Sequence, residues 1–255
     1  LTPEYGFPKC PSWHEIGKLN DTEKTRAFSL VVANTLQQCG INLNLAPVLD
    51  IQKNTNSIIG KEGRCISDNP LQTIKHSRIF IEEHWKKQIA TSGKHFPGQG
   101  SAIQDAHDEM TDISDFWNES ELHPYVELIK SNHLKMIMTG HVLIKSLDKN
   151  YPATLSKKII ADLLRKKMGF NGVVISDDPV MKAISDNYSW EETLELMVIA
   201  GNDIICLGNN LMPYRENLVP ESIETIISLV DEGKIPSDRI EKSYRRILNM
   251  KSMLA

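Results

Sequence analysis

Five short apolar runs, separated by segments of helical periodicity, constrain this chain more than any other feature. They fall at residues 41–47, 89–93, 135–139, 173–176 and 203–207. Each is too short to be a typical helix and suits a strand buried on both faces. Between them, apolar positions recur every three to four residues. Residues 21–39 carry Phe28, Val31, Val32 and Leu36, with Asn20 or Asp21 as cap and Gly40 as stop. Further helices are expected at about 70–87, 119–131, 156–168 and 190–200, and two more near 220–232 and 237–253 close the chain. Strands that alternate with helices pair in parallel, because a parallel neighbour needs a crossover. Right-handed crossovers either curl such a sheet into a barrel or wind it doubly.

The unusual polar residues favour the barrel. Asp50, His95, His141 and Asp177 each lie at or just after the C-terminal end of an expected strand. That is the end where a (β/α) barrel gathers its active site. No G-x-G-x-x-G follows a strand and no G-x-x-x-x-G-K-[ST] is present, which removes support for a nucleotide-binding doubly wound sheet. The expectation is an α/β, TIM-like (β/α) barrel, with residues 1–255 forming a single domain. A closed eight-stranded barrel needs more strands than five, and residue 1 is Leu, so the first strands are expected upstream of these residues.

Charge and cysteine usage narrow the partners. A net charge of −4 gives no electrostatic argument for nucleic acid or an anionic membrane. No apolar run approaches the ~20 residues of a membrane span. Cys10, Cys39, Cys65 and Cys206 are widely spaced, without a C-x-x-C. Cys39 and Cys206 sit in apolar segments and read as small core residues. A reducing, cytoplasmic setting is the expectation, with a periplasmic or secreted one left open. The oligomeric state is not legible.

Two constellations carry chemistry. The first runs Lys94-His95-Phe96-Pro97-Gly98-Gln99-Gly100 and then Asp105-Ala106-His107. Its proline and two glycines mark an exit from the strand into a loop. A carboxylate two residues before a histidine can bond one ring nitrogen, fix the tautomer and leave the other nitrogen to move a proton near neutral pH. Alone, the Asp-x-His pair is more often a solvated surface loop. His95, His107 and His141 could in principle converge on a metal, but no H-x-H or H-E-x-x-H spacing is present, and no metal or cofactor is expected. The second constellation is Val173-Val174-Ile175-Ser176-Asp177-Asp178, a buried strand ending in two carboxylates. Adjacent strand side chains point to opposite sides, so only one easily faces a pocket. That one can attack an anomeric carbon. Equally, one aspartate could cap the next helix and the other bond backbone. Arg64, in an irregular loop, could clamp a ligand oxygen; His141 could line the pocket or be a satisfied buried histidine; Asp203 reads as a backbone-bonding residue at a strand start.

Taken together these segments resemble family 3 glycoside hydrolases, in particular their bacterial β-N-acetylglucosaminidase branch. Residues 42–50 (N-L-N-L-A-P-V-L-D) resemble the strand before the family's substrate loop. Residues 93–107 resemble its K-H-F-P-G-H-G…D-S-H loop, with Gln99 for His and Ala106 for Ser. Residues 163–177 resemble its nucleophile signature, and Ala200-Gly201-Asn202-Asp203 matches A-G-x-D. The resemblance implies Asp177 as nucleophile, His107 as acid/base, Asp105 as its carboxylate partner, and Lys94, His95 and Arg64 as sugar contacts. It implies a retaining hydrolase of terminal β-linked N-acetylglucosamine on cell-wall-derived or chitin-like saccharides. A β-glucosidase, a phosphorylase and a carbohydrate-binding pseudoenzyme are the alternatives. Pro179 and Val180 stand where the family usually has Leu and Ser. The family's D-x-E-G-G-R-V-x-R segment would lie ahead of Leu1.

Overall fold

The computed structural model describes residues 3–54, 56–103, 106, 109–210 and 214–254. In chain order the elements are α1 (Trp13–Leu19), α2 (Thr22–Gln38), β1 (Leu43–Asn44), α3 (Ile58–Lys61), α4 (Pro70–Trp85), β2 (Ala90–Phe96), β3 (Thr111–Asp112), α5 (His123–Lys130), β4 (Met136–Thr139), β5 (Val142–Leu143), a π-helical segment (Lys158–Lys167), β6 (Val173–Ser176), α6 (Lys182–Ser185), α7 (Trp190–Ala200), α8 (Leu218–Asp231) and α9 (Ser237–Ser252). Short 3-10 turns lie between them, one of which, Glu119–Leu122, leads into α5.

The main sheet is parallel, and its spatial order β1-β2-β4-β6 follows the chain. A doubly wound sheet reverses direction partway; one that adds each strand on the same side curls toward a barrel. This is the TIM-like α/β arrangement expected from the sequence. Val48 bridges to Lys94 and Ile204 to Ile175, both in parallel, which extends the curl at each edge. A second parallel pair, β3 with β5, sits apart from it.

Alternation along the strands divides the core. Met136, Met138, Val173 and Ile175 share one face with Ala90 and with Met250 of α9. Ile137 and Val174 point the other way and meet Tyr125 and Leu128 of α5 and Ile159, Ile160 and Leu164 of the π-helical segment. Helix starts follow ordinary capping physics. The Asp21 side chain accepts the Glu23 and Lys24 N–H groups at 2.9 and 3.2 Å, and Ser12 and Glu15 form a reciprocal capping box that starts α1.

Several expectations change. The run 41–47 contains only two residues of strand, yet its backbone follows β2: the Ala46 carbonyl accepts from Ser92 N–H at 2.9 Å and the Pro47 carbonyl from Lys94 N–H at 3.1 Å. Pro47 has no N–H to donate, so the ladder there cannot be regular. The run 203–207 is reduced to the Ile204 bridge, because Ser176 Oγ rather than a backbone carbonyl receives the Cys206 N–H. Of the helix expected at 156–168, Lys158–Lys167 winds as a π-helix rather than an α-helix. Cys39 is exposed, closing α2 at the surface, and the buried cysteine is Cys65.

Candidate active site

At the C-terminal ends of β2 and β6 the structure opens a cavity of about 220 Å³ lined by Arg64, Lys94, His95, Gln99, Met181 and Asp177 among others. Lys94 and His95 are adjacent in sequence, yet both reach it. The register between β2 and β4 shifts between Gly93 and Phe96, and an irregularity of this kind re-aims side chains that would otherwise alternate.

His95 is held from behind. Its Nδ1 lies 2.7 Å from Oδ2 of Asp50, a fully buried carboxylate. Oδ1 of the same group accepts the His95 N–H at 3.1 Å and the Gln99 N–H at 3.0 Å. Asp50 therefore fixes the ring through Nδ1–H and turns Nε2 toward the cavity. Nε2 sits 4.0 Å from Oδ2 of Asp177 and 3.4 Å from the Arg64 guanidinium.

Asp177 follows the last residue of β6, and its own N–H donates to the Thr139 carbonyl at 3.1 Å. Its Oδ1 accepts the Asp178 N–H at 2.9 Å, which leaves Oδ2 for the cavity. Burial pushes this carboxyl up, but His95, His141, the Asp178 N–H and Lys94 together outweigh it and hold it below the usual aspartate range. It is thus an ionised, oriented and partly desolvated carboxylate. Replacing His95 by glutamine removes the largest of the opposing influences, so the Asp177 carboxyl rises. The acid limb of the pH–kcat/KM profile then moves to higher pH, while the alkaline limb stays in place; a pH series on the two proteins checks this.

Asp178 does not line the cavity. It caps the following turn, accepting the Val180 N–H at 3.1 Å, and burial holds its carboxyl above the ordinary value. The two neighbouring carboxylates are thereby assigned opposite tasks by the strand's pleat. Lys94 is pushed down first by burial and then by Arg64, with Asp177 and Asp50 opposing. His141 is buried; its Nε2 donates to the Asp178 carbonyl at 2.9 Å, and Nδ1 has no hydrogen-bond partner among the described residues. Burial lowers its pKa, with Asp177 opposing. Arg64 pairs with Glu62 at 3.3 Å. Among the described residues no group of three or more His, Cys, Asp or Glu is placed to hold a metal ion, and no helix is long and apolar enough to cross a membrane.

The comparisons with known proteins bear on this geometry. The model of the glycosyl hydrolase family 3 N terminal domain matches residues 6–250. The chain belongs to glycosyl hydrolase family 3. A beta-hexosaminidase of Tolumonas auensis is 33% identical over 210 residues, covering 80% of this chain and 62% of that protein. Among solved structures, the beta-N-acetylglucosaminidase from Thermotoga maritima superposes with a TM-score of 0.81 at 32% identity, over 97% of this chain and 51% of that one. A family 3 beta-N-acetylglucosaminidase from Paenibacillus superposes with a TM-score of 0.90 at 29% identity, over 98% and 47%. The chain thus spans roughly half to two thirds of these relatives.

Within this family 3 domain, the sequence-predicted Asp177, Lys94, His95 and Arg64 converge on one cavity, and His141 stands behind it. Asp105 and His107 lie outside the described residues. Ala106 between them lines the cavity, and its carbonyl accepts the Ala183 N–H at 3.1 Å. Sequence reasoning placed Asp50 at a strand end without seeing that it grips His95. Its position at the close of an apolar run was the available clue. Glu121, buried ahead of α5, gave no clue at all.

Proposed function

We propose that this chain carries the catalytic site of a retaining β-N-acetylhexosaminidase that removes terminal β-linked N-acetylglucosamine. The observation that carries the reading is the carboxylate of Asp177. It is oriented by a backbone N–H, kept ionised by neighbouring cations, and pointed into a cavity walled by Lys94, His95 and Arg64. The relatives named as beta-hexosaminidase and beta-N-acetylglucosaminidase support the sugar and the anomer.

The reaction has two steps. An oxygen of Asp177 bonds to the anomeric carbon as the glycosidic C–O bond breaks, and the departing oxygen takes the proton of His107. Water then attacks the same carbon, gives a proton back to His107 and frees the Asp177 carboxylate, so the β configuration returns. Asp105 favours the charged imidazole before the first step. Lys94, His95 and Arg64 supply donors for sugar hydroxyls in a partly dry site, where such bonds are strong. The saccharides proposed are cell-wall-derived or chitin-like. The exposed thiols of Cys10 and Cys39 favour a cytoplasmic setting.

The deciding experiment follows a β-N-acetylglucosaminide by proton NMR with the full-length protein. The first-formed sugar is expected to be the β-anomer, and adding phosphate is expected to yield no sugar phosphate. A first-formed α-anomer, or no turnover with intact binding, overturns the reading. A second expected result concerns His107→Ala. It lowers kcat/KM for alkyl glycosides by about 10²-fold, the ordinary worth of a positioned acid, and spares kcat/KM for activated aryl glycosides that leave without a proton, while their kcat falls because the second step has lost its base. Equal losses of kcat/KM on both substrate types would remove His107 from the acid role.

A further inference from the structure

Glu121 is fully buried in the 3-10 turn before α5, and no step above uses it. Its Oε2 accepts the Gly100 N–H at 3.0 Å, and its Oε1 lies 3.3 Å from the Ser101 hydroxyl. The preceding N–H, that of Gln99, belongs to Asp50. Two carboxylates from separate elements therefore hold three consecutive residues, one of which, Gln99, lines the cavity. The fit is close on both sides. Gly98, at φ +112°, lies against Glu121 so that a Cβ would come within 2.6 Å of it, and a Cβ on Gly100 would overlap the Ile51 carbonyl. Trp117 Nε1 donates to the Pro97 carbonyl at 3.2 Å, and Ile58 N–H to the Ala102 carbonyl at 3.2 Å. Everything from Pro97 to Ala102 is thus pinned, and this is the stretch that leads from His95 toward Asp105 and His107.

We propose that Glu121 is a positioning residue for the glycosidase reaction, holding the 98–102 segment in the shape that sets the wall of the Asp177 cavity. The inference rests on the glycosidase reading. Oε2 accepts the Gly100 N–H and Oε1 accepts the Ser101 hydroxyl. Of the groups facing it, Asp50 disfavours its ionisation, while the Gly100 N–H, the Ser101 hydroxyl and Lys53 favour it; Tyr125 of α5 is itself held neutral, chiefly by burial. Burial and Asp50 push the Glu121 carboxyl up to about 8. The neutral form therefore persists below that pH and is lost as pH rises through it, when a second negative charge appears beside Asp50. Glutamine is neutral at every pH and nearly isosteric, its carbonyl accepting from Gly100 and its amide facing Ser101 Oγ, whose hydroxyl can turn to accept.

The test compares Glu121→Gln and Glu121→Ala with the parent in the full-length protein, using amide hydrogen exchange over residues 97–102 and aryl N-acetylglucosaminide kinetics from pH 6 to 9. Glu121→Ala is expected to exchange the Gly100 amide about tenfold faster, the effect of an unpaired buried N–H. It is expected to lose about tenfold or more in kcat with KM little changed, because the cavity wall moves. Glu121→Gln is expected to keep parental exchange and neutral-pH kcat, and to lose any fall in rate near pH 8. Parental exchange in the alanine variant overturns the proposal. So does a glutamine variant as impaired as alanine, a comparison that stands even if the alanine protein fails to fold, since parental behaviour of the glutamine protein is then required. If the parent has no glycosidase activity, the glycosidase reading falls, and the exchange data alone still decide whether Glu121 holds the segment.

Discussion

Asp177→Asn is expected to lower kcat by roughly 10⁴-fold or more while leaving the fold unchanged, the scale seen when a group that bonds covalently to substrate is removed. The amide is nearly isosteric, and its carbonyl can still accept the Asp178 N–H that fixes the parent side chain at 2.9 Å. What disappears is the negative charge that Lys94 and His95 favour, and with it the oxygen proposed to bond the anomeric carbon. Substrate binding is expected to survive, because Arg64, Lys94 and His95 remain. Circular dichroism and a binding isotherm for N-acetylglucosamine check the first and last points, and turnover of an aryl N-acetylglucosaminide checks the main one. Added azide supplies a second readout. In Asp177→Ala, azide can enter the vacated space, attack the anomeric carbon from the face opposite the leaving group and give an α-glycosyl azide. An asparagine variant within tenfold of the parent, or a β-azide product, would place the nucleophile elsewhere.

Asp203→Ala is expected to destabilise the domain by about 3 kcal/mol or more, in the range for removing one partner of a buried ion cluster. The Asp203 carboxylate is inaccessible to solvent, and three elements, the π-helical segment, β6 and α9, converge on its two oxygens. Oδ2 meets Arg165 at 2.6 Å and accepts the Val174 N–H at 3.0 Å; Oδ1 meets Ser243 at 2.8 Å, Arg246 at 3.1 Å and Arg239 at 3.4 Å. The guanidinium groups already repel one another: burial and then its arginine neighbours bring Arg165 down to about 10, with Asp203 opposing. Without the carboxylate, three cations share a largely dry corner and a strand N–H loses its acceptor. Arg246 retains some solvent contact, which limits the penalty. Asp203→Asn keeps an acceptor for Val174 and Ser243 and is expected to cost less than the alanine change. Chemical denaturation midpoints rank the three proteins, and an alanine variant within 0.5 kcal/mol of the parent would sink the argument.

What could be read from the sequence follows the physics of each residue. The runs at 135–139 and 173–176 are buried on both faces, so composition alone announces β4 and β6. The runs at 41–47 and 203–207 have a strand's composition, but a proline and a serine hydroxyl take over ladder positions, and nothing in periodicity reports that. That only one of Asp177 and Asp178 would face a pocket was legible from strand alternation; which one was implied by the resemblance alone. The arginine hub around Asp203 was not, since Arg165, Arg239 and Arg246 come together only when α9 packs near β6. Glu121 was hidden for the same reason: a glutamate ahead of a helix looks like an exposed cap until the fold buries it under Gly100.

The clamp on residues 97–102 and the Ala106–Ala183 hydrogen bond anchor the backbone on both sides of the stretch between them. The wall of the pocket and the carboxylate at its floor are thus held by separate parts of the chain, Asp50 and Glu121 for the one and the end of β6 for the other. Changes to the wall can therefore accumulate while Asp177 keeps its place.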